Sequence, residues 1–162
     1  MSSKSPAAKS RKASGAKAAP GKSTGHPVPR ILLVDCDPAL RVRCSEVLTG
    51  SGYRVDTAGA GAAGWRLLHA ASRAPDGYDL LIADNRLPKL SGVELIKKAR
   101  AQSMTLPVIL ASGTAPADRE WFQFIGPLQL ASILPKPFSA DELVQMVKEV
   151  LHWSTSQHGQ SA

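Results

Sequence analysis

The chain has 162 residues, 43% of them hydrophobic and 20% charged, which favours one ordinary globular domain. Two cysteines, Cys36 and Cys44, are too few for a disulfide scaffold, and no run of about 18 apolar residues or signal-peptide stretch is present, so a reducing cytoplasm is the default compartment and no membrane contact is expected. The net charge of +7 is uneven: seven of the 20 basic residues (Lys4, Lys9, Arg11, Lys12, Lys17, Lys22 and Arg30) lie in residues 1–30 with no acid, which leaves 13 basic against 13 acidic residues in 31–162.

Residues 1–29 are mostly Ala, Ser, Lys, Gly and Pro without an aromatic residue. Such a segment cannot bury enough apolar surface to offset the entropy of ordering it, so a disordered basic arm is expected. Three readings stay open for it: a solvating extension, a weak non-specific electrostatic contact with nucleic acid or another acidic surface by residues 1–30, and a transit peptide, which the basic, acid-free composition suits but the weak amphipathic pattern does not.

From residue 30 the pattern alternates. Arg30-Ile31-Leu32-Leu33-Val34 is a short apolar run and reads as a strand. Asp37-Pro38 then offers an N-cap with proline at the first helical position, and Leu40, Cys44, Val47 and Leu48 are spaced as one helical face that Gly50 and Gly52 end. Tyr53 to Thr57 alternates as a second strand suited to a sheet edge, and Ala62 to Ala71 reads as a helix with Trp65, Leu68 and His69 at helical spacing. Leu80 to Ala83 form four apolar residues in a row, the mark of a strand buried on both faces, with Asp84 at its carboxyl end and Pro88 beyond. Ser91-Gly92-Val93-Glu94 fits a capping box opening the next helix. Pro107 to Ala111 is a fourth strand, 117–125 a short helix carrying Trp121, Phe122 and Phe124, and Ala131 to Leu134 a fifth strand. Ser139 to Glu142 caps a last helix carried by Leu143, Val144, Val147 and Leu151, after which residues 153–162 read as a flexible, frayed tail.

Five strands alternating with helices imply βαβ units, a parallel sheet and, through right-handed crossovers, helices on both faces. In such sheets ligands bind at the carboxyl ends of the strands. The residues found there are Asp35 and Cys36 after the first strand, Asp84 after the third, Ser112 after the fourth and Lys136 after the fifth. Two carboxylates suit a hard divalent cation, an ammonium and a hydroxyl suit the oxygens of a phosphoryl group, and a carboxylate can itself accept that group. Cys44 reads as a small core residue. His26, His69, His152 and His158 lack metal-ligand spacing, and Gly59 to Gly64 lacks the lysine of a phosphate-binding loop.

Four stretches carry a family resemblance: Ile31-Leu32-Leu33-Val34-Asp35; Asp84 with Leu87-Pro88 and Ser91-Gly92-Val93-Glu94-Leu95; Pro107-Val108-Ile109 with Ser112; and Pro135-Lys136-Pro137-Phe138. In this order and spacing the chain resembles the receiver domain of two-component response regulators over about residues 30–152. The resemblance implies an α/β flavodoxin-like fold, a five-stranded parallel sheet of order 2-1-3-4-5 with helices on both faces. It implies signalling rather than enzymatic turnover. Asp84 matches the phosphoacceptor, Asp35 the first residue of an acidic pair, the backbone carbonyl of Arg86 a third magnesium ligand, Ser112 the switch hydroxyl and Lys136 its lysine partner. The family also has a cis Lys-Pro bond at the matching place. The implied cofactor is magnesium, and the implied partners are a histidine kinase or phosphotransfer protein and an unknown downstream protein. On this reading the protein is a stand-alone receiver that takes a phosphoryl group on Asp84 and shifts the face formed by the fourth helix, fifth strand and fifth helix.

The chain departs from the family pattern twice. Cys36 stands where a second metal-binding acid is usual, and a thiol is a soft ligand poorly matched to magnesium, so weaker magnesium binding is expected. Asp37 beside it is better placed as a helix cap. Ile133 stands where the family's switch aromatic is usual and offers neither ring nor hydroxyl. Both departures favour the alternative of a pseudo-receiver that binds partners without phosphorylation; a third reading makes the basic arm the functional part.

Overall fold

The computed structural model describes residues 27–114, 123 and 125–158. Its five strands are β1 (Arg30–Val34), β2 (Arg54–Ala58), β3 (Leu80–Asp84), β4 (Val108–Ser112) and β5 (Ser132–Pro135). Its helices are α1 (Pro38–Gly50), α2 (Gly61–Ala71), α3 (Gly92–Ala101) and α4 (Ala140–His158), with one 3-10 turn at Gly126–Leu128. All neighbouring strands pair in parallel, in the order β2-β1-β3-β4-β5. This is the doubly wound α/β arrangement expected from the alternation of patterns.

The apolar runs explain the layering. β3 and β4 are buried at every position and β1 at four of five. Successive strand residues point to opposite faces. Leu32, Val34, Leu81, Ala83, Val108 and Leu110 therefore join Leu68 of α2 and Leu95, Ile96 and Ala99 of α3 in one core. Ile31, Leu33, Leu80, Ile82 and Ile109 join Cys44 and Leu48 of α1 and Leu143, Val147 and Val150 of α4 in the other. β2 lies at the sheet edge, as its alternation suggested.

The helix starts follow their capping residues. The Asp37 carboxylate accepts the Ala39 and Leu40 N–H groups at 2.9 and 3.3 Å, with Pro38 at the first helical position. Ser91 and Glu94 bond each other's backbone N–H at the start of α3, and Ser139 and Glu142 do the same before α4.

The tail expected to fray from residue 153 is helical as far as His158. There the hydroxyls of Ser154, Thr155 and Ser156 donate to carbonyls four residues back, at 2.9, 2.9 and 3.1 Å. The bland composition hid these local bonds. Of the expected helix over 117–125, only Gln123 and Ile125 are described, both helical. Trp121, Phe122 and Phe124 and the expected disordered arm through His26 lie outside the described residues. No described helix is long and apolar enough to cross a membrane.

Arg30, counted in the basic excess of residues 1–30 but read as the start of the first strand, is tied into the fold by its side chain. Its guanidinium bonds Asp56 at 2.6 Å and the Asp76 carbonyl at 2.7 Å, and stacks 4.5 Å from the Tyr78 ring centroid. Burial, then the bond to Asp56, pushes the Tyr78 hydroxyl up to about 12. This cluster ties the amino ends of β1 and β2 to the approach to β3, opposite the edge that carries the candidate site.

Candidate functional site

The parallel register places the ends of β1, β3, β4 and β5 along one edge. Asp35 follows β1, and its N–H bonds the Ala58 carbonyl at the end of β2. Asp84 closes β3 opposite Ala111 of β4. Ser112 closes β4 opposite Pro135, and its carbonyl accepts the Lys136 N–H at 2.8 Å. The peptide bond between Lys136 and Pro137 is cis, as the resemblance led us to expect.

Asp35, Asp84 and Ser112 are each 5% exposed or less, and they are the buried polar side chains among the described residues. A buried carboxylate needs compensation. Lys136 supplies it to both: its Nζ lies 2.9 Å from Asp35 Oδ2 and 3.3 Å from Asp84 Oδ1. Burial pulls the Lys136 ammonium down, but the bond and charge of Asp35 and the charge of Asp84 outweigh it, and the net shift is upward. The other oxygen of Asp35 accepts the Asp37 N–H at 2.8 Å, and Asp84 Oδ1 also accepts the Arg86 N–H at 3.1 Å.

Cys36 points into the same pocket. Its Sγ lies 3.2 Å from the Arg86 carbonyl oxygen and 3.9 Å from Asp84 Oδ2. One donor atom each from Asp35, Cys36 and Asp84 falls within 4.8 Å of the others. Asp37, by contrast, keeps its side chain on the α1 cap, as expected.

Ser112 sits at the edge, and its hydroxyl is engaged locally. It bonds Thr114, with the Thr114 oxygens at 3.1 and 3.2 Å and the Thr114 N–H donating to it at 3.3 Å. Two further participants escaped the sequence reading. Arg41 donates to the Asp35 carbonyl at 2.7 Å, fixing the backbone that carries the carboxylate. Nothing in the sequence separates this arginine from the other polar residues of α1. Thr114 had a usable signal, since a hydroxyl residue two places after Ser112 is spaced for a local serine turn.

The family model for the response regulator receiver domain matches residues 31–148. This chain belongs to that family. Among curated relatives of the receiver, the transcriptional regulatory protein CpxR homolog of Haemophilus influenzae is 33% identical over 127 residues, 78% of this chain and 52% of that protein. The cell cycle transcriptional regulator CtrA of Caulobacter vibrioides is 29% identical over 132 residues, covering 82% of this chain and 54% of its own. The chain thus spans about half the length of these curated relatives. A CheY-like receiver domain protein from Methanospirillum hungatei superimposes with a TM-score of 0.71 at 25% identity, covering 81% of this chain and 99% of that one. Chemotaxis protein CheY4 of Vibrio cholerae does so with a TM-score of 0.66 at 27% identity, over 76% and 99%.

Receiver domains bind magnesium at an acidic pocket of this kind. Here the carboxylates of Asp35 and Asp84 and the Arg86 carbonyl are the oxygen donors a hard cation takes. The Cys36 sulfur is not.

Proposed function

We propose that Asp84 accepts a phosphoryl group from the phosphohistidine of a histidine kinase or phosphotransfer protein, and that the receiver signals this to a downstream protein. The observation that carries the reading is the Lys136 ammonium held between two buried carboxylates at the carboxyl edge of the sheet. In the transfer, the phosphorus–nitrogen bond of the donor breaks as an Asp84 oxygen bonds to phosphorus, and the histidine nitrogen keeps the electron pair. Lys136 is positioned to pair with the incoming phosphoryl oxygens. A divalent cation held by Asp35, Asp84 and the Arg86 carbonyl would neutralise the charge that develops there.

The Ser112 hydroxyl, now on Thr114, would exchange that bond for one to a phosphoryl oxygen. The new charge and acceptor oxygens would thereby move the β4 end and the neighbouring β5 and α4. The protein is on this reading a signalling module rather than an enzyme. Its expected readout is intact mass after treatment with acetyl phosphate and a divalent cation. Wild type should gain one phosphoryl group and Asp84→Asn none. An equal gain in both proteins would move the acceptor elsewhere.

A pseudo-receiver reading is favoured by two observations: Ser112 is satisfied by Thr114 without any phosphoryl group, and Ile133 is packed partly buried against the α2–α3 core where the family's switch aromatic would stand. Under it, wild type would gain no mass with any divalent cation, and partner binding would be unchanged by Asp84→Asn.

A further inference from the structure

Asp84 Oδ1 and both oxygens of Asp35 already accept N–H donors from Lys136, Arg86 or Asp37. Asp84 Oδ2 is different. It belongs to a carboxylate almost wholly excluded from water, and its partner among the described residues is the Cys36 thiol at 3.9 Å. The same thiol lies 3.2 Å from the Arg86 carbonyl oxygen. A buried carboxylate oxygen, a sulfur and a carbonyl oxygen thus face one another.

We propose that Cys36 turns this pocket into a mixed sulfur–oxygen site that selects a thiophilic, borderline dication such as zinc or cobalt(II) over magnesium. The inference rests on the reading of this pocket as the cation pocket of a receiver, and it changes which cation that pocket takes. Two arguments converge on it. The first is chemical: thiolate is a good ligand for zinc and its neighbours and a poor one for magnesium, which takes oxygen.

The second argument is geometric. Tetrahedral zinc, with a sulfur bond of about 2.3 Å and oxygen bonds of about 2.0–2.2 Å, sets sulfur and oxygen roughly 3.6 Å apart. The two sulfur–oxygen separations here, 3.2 and 3.9 Å, straddle that value. Binding forms a metal–sulfur bond and releases the thiol proton to solvent, with no change of oxidation state. Cys44 is buried in the α1–α4 core and is not among the residues whose donor atoms come together here.

The test is cobalt(II) titration of the full chain without any phosphodonor, followed by ultraviolet and visible absorption. Wild type should develop a thiolate-to-cobalt charge-transfer band that zinc bleaches and a large excess of magnesium leaves in place. Cys44→Ala should keep the band. Cys36→Asp and Cys36→Ser, checked for folding by circular dichroism, should both lose it. The zinc-to-magnesium affinity ratio should fall at least about tenfold in Cys36→Asp, the lower end of what even an outer-shell change costs a metal site. No band, a band that survives loss of Cys36, or an unchanged ratio would overturn the proposal. A cobalt band without a phosphoryl mass gain would overturn the phosphoacceptor reading alone, and a mass gain without the band would overturn this one alone.

Discussion

Lys136 holds two carboxylates that water scarcely reaches, and its side chain is itself only 20% exposed. Removing it leaves two like charges facing each other in a poorly solvated pocket. Lys136→Met should therefore cost about 3 kcal/mol in urea unfolding at neutral pH, and adding Asp35→Asn should restore part of the loss because it removes one bare charge. The pH dependence has a definite sign. The folded state raises the Lys136 pKa, so its contribution is whole below the ordinary value of 10.5 and is lost as pH rises through the folded value. The gap between wild type and Lys136→Met should close in that alkaline window. Residue types at the strand ends were legible from sequence because each follows an apolar run. The direction of the Ser112 hydroxyl was signalled only by the spacing of Thr114 two places on, because the bond itself depends on how the chain turns after β4.

At the scale of elements, the start of α3 sets the position of Asp84. A Cβ on Gly92 would run into the Asp84 backbone carbonyl and lie 3.0 Å from the Asn85 Cα. The Gly92 N–H also bonds the Asn85 carbonyl at 3.3 Å. Gly92→Ala must then push α3 away from the β3 end or shift the β3 end itself. It should cost about 1–3 kcal/mol, the usual penalty for overpacking, and slow the mass gain from acetyl phosphate without changing which residue is modified. Urea unfolding and the time course of intact mass would check both halves, and a variant of unchanged stability and rate would show that the contact relaxes freely. The glycine was visible in the sequence as part of Ser91-Gly92-Val93-Glu94, but only as a helix start. Its packing role needs the third dimension. The same holds for Gly61, whose absent Cβ leaves room for the Leu90 carbonyl, so that α2 begins one residue before the Ala62 read from sequence. The strands needed less, because their runs of Leu, Ile and Val leave little choice but a doubly covered sheet.

On the scale of the whole molecule, Lys136 and Asp35 meet although 101 positions separate them. Their meeting was legible through topology, since right-handed crossovers bring all strand ends of a parallel sheet to one side. Charge division takes more care. Arg30 adds to the basic excess of residues 1–30, yet it opens the first strand, and its ion pairs with Asp56 and Asp76 commit it to the domain. Lys4, Lys9, Arg11, Lys12, Lys17 and Lys22 remain as the arm's own cationic side chains. If the arm contacts duplex DNA, six charges at roughly 0.9 per neutralised phosphate limit the log–log salt slope to about 5.4. The contact should ignore base sequence, because the arm has no aromatic residue to stack on bases. Deletion is best made at residues 1–26, because the Pro29 carbonyl accepts the Arg54 N–H at 3.0 Å and belongs to the sheet edge. That truncation should abolish DNA binding and change the unfolding free energy by less than about 0.5 kcal/mol. Fluorescence anisotropy across a salt series and urea unfolding would measure the two effects. Binding that survives truncation, or a steeper slope, would place the nucleic-acid contact on the receiver domain, whose charges otherwise nearly cancel.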